Sequence, residues 1–248
     1  MNTRNAKLGP FLILYLFLTV CHAAQGELDD GIEAVEKKEY AKAYQIFKAL
    51  AEQGNAEAQY NLAILYRQGK GVKQDKKTAL KWFEQSANQG LASAEYYLGH
   101  LYDNGDTVNR DSAIAVSWYK KAAEKGNPLA QSNLGVAYAS GEGVKQDIIK
   151  AYVWFSLAAS QGLTAALENR SLLKKEMSEE LQKNAQRLTN EYFNRYVAPF
   201  IQSSRKMPPG GYPGATEAHK QMQNEPGGQS VPHSSENHPA GDNHKGAH

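Results

Sequence analysis

Seven histidines and a single cysteine hold most of the nucleophilic, acid–base and metal-binding chemistry open to this 248-residue chain. Cys21 and His22 lie in an N-terminal apolar stretch, and His219, His233, His238, His244 and His248 crowd the C-terminal end. Between them stands His100 alone. A serine or cysteine nucleophile needs a base within hydrogen-bond reach, and no local signature surrounds His100. One cysteine excludes an intrachain disulfide. Metal sites need several convergent ligands, whereas the C-terminal histidines are irregularly spaced, and His244 and His248 are flanked by glycine and so read as a solvated linker. Gly69-Lys70-Gly71 and Gly141-Glu142-Gly143 lack both a preceding strand and the Gly-Lys-Ser/Thr that follows in a phosphate cradle. They read as turns. Asp75, Asp111 and Asp147 have a structural reading as helix caps. The expectation is a chain without a catalytic centre, cofactor or metal.

Those aspartates belong to a period that organises the whole sequence. Gly54, Gly90, Gly126 and Gly162 recur every 36 residues, as do Gly69/Gly105/Gly141, Val72/Val108/Val144 and Trp82/Trp118/Trp154. The units are 55–90, 91–126 and 127–162. Each reads as a helix A, a glycine-bearing loop and a helix B. In the first, Ala58, Leu62, Leu65 and Tyr66 make one face of helix A, and Ala79, Trp82, Phe83 and Ala87 one face of helix B. Asn127-Pro128 opens the third unit as cap and first helical residue. Thr107 replaces the second loop glycine, so the second loop should be the most altered. One helical hairpin cannot offset an ordering entropy of roughly 1–2 kcal/mol per residue; stacked hairpins can. Small Ala63, Gly99 and Gly135 permit close helix approach, and Trp118, in the middle unit, is expected to be the most damaging truncation.

The third unit carries the pattern Ala130, Leu134, Gly135, Tyr138, Gly141, Gly143, Val144, Asp147, Lys150, Ala151, Trp154, Phe155, Ala158, Ala159 and Gly162. These residues resemble the Sel-1-like repeat family, a branch of the tetratricopeptide superfamily. The resemblance covers 55–162 and extends weakly to Leu28 and to about Tyr192. It implies an all-α fold, a right-handed α/α superhelical solenoid of helical hairpins, used as an adaptor for other proteins.

The ends differ from the body. Arg4 and Lys7, the apolar run Phe11–Val20, and Cys21-His22-Ala23 have the layout of a signal peptide cleaved after Ala23. The run is too short to span a bilayer, so no stable transmembrane anchor is expected. Leu18-Thr19-Val20-Cys21 is similar to a lipobox, but Val20 stands where a small residue is usual, which makes a lipid anchor at Cys21 the weaker alternative. Residues 24–54 read as a degenerate tetratricopeptide-like unit with its loop cut to about Lys37–Glu39. Beyond Gly162 the period fades. Residues 163–206 read as capping helices, with Ser178 as an N-cap and Leu181, Ala185, Leu188 and Tyr192 on one stripe. Residues 207–248, rich in Gly, Pro and His, read as disordered.

The expected contact surface is the side of helix A opposite its apolar face. It holds Tyr60, Ile64 and Arg67, then Tyr96, His100 and Asp103, then Ser132 and Val136. Apolar residues rimmed by charge suit a protein or peptide ligand; alternatively, Ile64 and Val136 pack against the adjoining repeat. With 28 basic and 26 acidic residues there is no basic footprint for nucleic acid. The reading is an exported, non-catalytic repeat scaffold for protein–protein interaction, periplasmic or secreted. The alternatives are a cell-wall-related hydrolase or ligand-binding protein, as in some disulfide-stitched relatives in that family, and an envelope metal-binding protein working through the histidine-rich end.

Overall fold

In the computed structural model, residues 25–200 are described, and among them no strand occurs. The expected leader, the last 48 residues and the histidines at both ends lie outside that range. Among the described residues ten helices follow one another: α1 (residues 25–36), α2 (Tyr40–Glu52), α3 (Ala56–Gln68), α4 (Lys76–Asn88), α5 (Ala92–Asn104), α6 (Ser112–Glu124), α7 (Pro128–Ser140), α8 (Ile148–Ser160), α9 (Thr164–Glu176) and α10 (Glu179–Tyr196). Residues 198–200 are helical again. From α2 to α9 every helix is 13 residues long. Consecutive helices pack as hairpins, and the hairpins stack in sequence as a solenoid.

The boundaries have local causes. Asp75, Asp111 and Asp147 sit in extended backbone, and their carboxylates accept from the first free N–H groups of α4, α6 and α8. Asn55 and Asn127 do the same for α3 and α7, each at 2.9 Å. Leu91 replaces this asparagine before α5 and offers no side-chain cap. Gly69, Gly105 and Gly141 end the A helices in left-handed backbone. The next loop glycine has a second reason to lack a side chain. A Cβ on Gly71 would overlap Tyr40 O, and one on Gly143 would overlap Ser112 O, so each loop lies against the start of the preceding helix B. Thr107 holds the same place with φ 72°. The altered chemistry of the second loop is thus accommodated as backbone strain.

Two expectations about packing part company. A Cβ on Gly99 would come within 2.6 Å of Tyr119, and one on Gly135 within 2.7 Å of Phe155, so these glycines do bring helices A and B together. Trp118, by contrast, is only half-buried, with Lys121 Nζ 3.8 Å from its ring centroid. Trp154 is the buried tryptophan, at 3% exposure. The reason is α10. It packs on α8 and places Tyr192 and Tyr196 against Trp154 at ring-centroid distances of 5.4 and 5.7 Å. Val197 is buried beyond it, and Phe200 reaches the turn at Gly126. Ser178 caps α10 through Leu181 N, as expected, but the helix folds back over the last repeat and, among the described residues, leaves one side of α9 exposed.

Candidate functional site

Helices α3, α5 and α7 bring the eight expected contact residues to one region, but at different depths. Tyr60, Ile64, Tyr96 and Ser132 are buried, whereas Arg67, His100, Asp103 and Val136 are half-buried. The expectation that all eight face solvent is corrected for the first four. Each A helix packs against its own helix B and against the preceding helix B, so from Ala58 to Leu65 every residue of α3 is buried. Ile64 belongs to a core cluster that spans the first two full units, as the packing alternative had it, and Val136 packs against a cluster built from its own unit, α9 and the residues that follow. Tyr60 is 1% exposed and Tyr96 is 6% exposed.

Around these residues lies a polar network threaded through aromatic rings. Tyr96 and Tyr97 flank His100 at centroid distances of 6.4 and 6.1 Å. The Arg67 guanidinium lies 5.3 Å from the Tyr97 ring centroid. Tyr119 OH donates to Asp103 Oδ2 at 3.1 Å, and its ring sits 5.9 Å from Tyr96. Asn104 Nδ2 donates to His100 O at 3.0 Å and lies 3.0 Å from His100 Nε2. Burial pushes the Tyr60 hydroxyl well above the ordinary phenol range; Tyr97 and Tyr96 add to the shift and Arg67 opposes it. Burial does the same at Tyr119, with Asp103 reinforcing it. Neither phenol is poised to ionise as a base near neutral pH. Among the described residues no group of three His, Cys, Asp or Glu is placed to hold a metal ion. What remains open is a line of Arg67, His100, Asp103 and Val136 crossing three units: a cation, an imidazole, an anion and an aliphatic group.

Sequence reasoning passed over Tyr97, Tyr119 and a polar pair repeated in every unit. Gln89 Nε2 donates to Gln59 Oε1 at 2.7 Å, and Gln161 Nε2 donates to Gln131 Oε1 at 2.8 Å. At the equivalent place in the middle unit, Lys125 Nζ meets Glu95 Oε1 at 2.6 Å and also donates to Gly90 O at 2.7 Å. The signal was present: at one spacing of 30 residues, two units carry Gln and Gln and one carries Glu and Lys.

The repeat profile of the Sel1 family matches four segments, 27–55, 56–91, 92–127 and 128–163, which together cover more than half of the chain. The chain belongs to the Sel1 repeat family. The first Sel1 match falls on the unit with the shortened loop, and the other three on the full hairpins. Sel1 repeat proteins are in general scaffolds for protein–protein interaction. A Sel1 repeat protein from Oxalobacter formigenes is 37% identical, over 50% of this chain and 94% of that one, with a TM-score of 0.49. A protective antigen present in uropathogenic Escherichia coli strains, displaying an SLR fold, is 28% identical with a TM-score of 0.46. That alignment covers 69% of this chain and 44% of the antigen. No curated protein sequence matches the chain. Among the described residues no helix is long and apolar enough to cross a membrane.

Proposed function

We propose that this protein is an exported, non-catalytic scaffold that holds a protein or peptide along the A helices, in the bacterial cell envelope or outside the cell. The observation that carries the reading is the line of Arg67, His100, Asp103 and Val136. These half-buried groups of different chemistry recur on successive A helices of a Sel1 solenoid. Their lower parts are fixed by packing, so little side-chain entropy is lost when a ligand meets them. The N-terminal sequence supports export: basic residues, a short apolar run and a small-residue cleavage site after Ala23.

The test is affinity capture from envelope extracts. The bait is the processed chain, compared with a variant carrying Arg67→Ala, His100→Ala and Val136→Asp. Tyr60 and Tyr96 are left intact because their removal would hollow the core. A single protein retained by the first bait, and lost by the second at unchanged helicity, is the expected result. Equal capture by both baits removes the A-helix line from the binding surface.

A further inference from the structure

In the three full units, helix A is covered by its own helix B. On α7 the covered stripe is Gln131, Ser132, Gly135 and Ala139, all buried. Gln131 accepts from Gln161, and Gly135 lies so close to Phe155 that no Cβ fits. Adding one period of 36 residues moves this stripe to α9, onto Leu167, Glu168, Ser171 and Lys175. Every one of these is exposed, and Leu172 beside them is 45% exposed. The cause is α10, which packs on α8, so that among the described residues no helix fills the helix-B position of α9. Leu167 and Leu172 are two of only four large apolar side chains exposed among the described residues. Leu181, at the start of α10, is another.

We propose that α9 is a self-association surface: the α9 of a second copy takes the vacant helix-B position, and the two chains are related by a two-fold axis. The stripe is self-complementary only in one direction. Laid antiparallel about Ser171 and Leu172, residue 168 of one helix falls opposite residue 175 of the other. Glu168 then meets Lys175 twice, once on each side of the axis. A parallel arrangement would set Glu168 on Glu168 and Lys175 on Lys175. Helices A and B are antiparallel within every full unit, so the paired α9 helices reproduce the packing direction already used inside the fold. Small Ser171 lies at the crossing, and Leu172 packs across the axis, with Leu167 and Leu181 as flanking apolar groups. An interface built from one patch used twice is the commonest route to a closed dimer.

Sedimentation velocity of the full processed chain over a wide concentration range tests this. The expected result is a concentration-dependent monomer–dimer equilibrium. Leu172→Glu, which puts two carboxylates at the axis, should weaken it about tenfold or more. Lys175→Glu alone should also weaken it, and Glu168→Lys combined with Lys175→Glu should restore it, because the double reversal rebuilds both ion pairs. All three positions are exposed, so helicity by circular dichroism should stay constant across the series. A chain that stays monomeric at every concentration overturns the proposal and leaves the α9 face to a helix of another protein. A dimer indifferent to Leu172→Glu, or one that the double reversal fails to restore, overturns it as well.

Discussion

Glu95 is a carboxylate at 3% exposure, at a position where the flanking units carry glutamine. Gln59 and Gln131 each use both ends of the side-chain amide: Oε1 accepts from Gln89 or Gln161, and Nε2 donates to a carbonyl of the preceding helix, Ala51 O or Ala123 O. Glu95 has no N–H to give, and its Oε2 is buried without a hydrogen bond. Lys125 therefore holds this group in place alone. Lys125→Gln should cost about 2 kcal/mol, because it leaves a buried carboxylate without its cation. Adding Glu95→Gln should recover most of that loss, since it rebuilds the Gln–Gln pair of the neighbouring units. Urea denaturation of both variants reads this out, and a double variant no better than Lys125→Gln would refute it. At the loop, Thr107→Gly should stabilise the protein by about 1 kcal/mol, because a threonine at φ 72° carries a strain that glycine does not. A rise in the urea midpoint is the expected sign.

At the level of helices, the ranking of the tryptophans follows from what covers them. Trp154→Ala should cost about 3–5 kcal/mol, as expected for a buried aromatic wedged between helices, and should loosen α10 as well. Trp118→Ala should cost roughly 1–2 kcal/mol, since the side chain is only half-buried and its ring already faces the Lys121 ammonium. Thermal melts of the two variants, with near-ultraviolet circular dichroism to follow Tyr192 and Tyr196, decide between them. The sequence made the hairpins legible because Asp75, Gly69 and their equivalents act locally: a cap or a left-handed turn needs only its neighbours. The depth of Tyr60 and Tyr96 was not legible in the same way. Their burial is set by helices on two sides, and a polar hydroxyl on an aromatic ring reads as a surface residue when only its own helix is considered. The stripe on α10 announced an amphipathic helix without naming its target. The target was marked elsewhere: Tyr152, Val153, Trp154, Phe155 and Leu157 leave α8 no polar side, so α8 needs one neighbour more than α4 or α6.

For the whole molecule, stability in a stack of repeats is close to a sum over units and the interfaces between neighbours. The interior units have a neighbour on each side, and α10 adds a further contact over α8. The α1–α2 hairpin is held on one side only, among the described residues, and its turn carries Lys38 in left-handed backbone. Amide hydrogen exchange should therefore show its strongest protection in α6–α8 and its weakest in α1 and α2. Uniform protection along the solenoid would contradict this gradient. The same additivity explains why surface ion pairs such as Lys76–Asp106 at 2.8 Å matter little to the total, although they tie one loop to the preceding unit.

The pairs Gln59–Gln89, Glu95–Lys125 and Gln131–Gln161 each begin and end inside a single 36-residue unit. Their outward bonds, from Gln59 to Ala51 O and from Lys125 to Gly90 O, go to backbone carbonyls that any neighbouring unit would present. A gene that gains or loses one whole unit therefore never separates an acid from its base. Copying errors in steps of one unit would leave no orphaned charge, and the length of such a protein can drift in inheritance while its interior stays electrically matched.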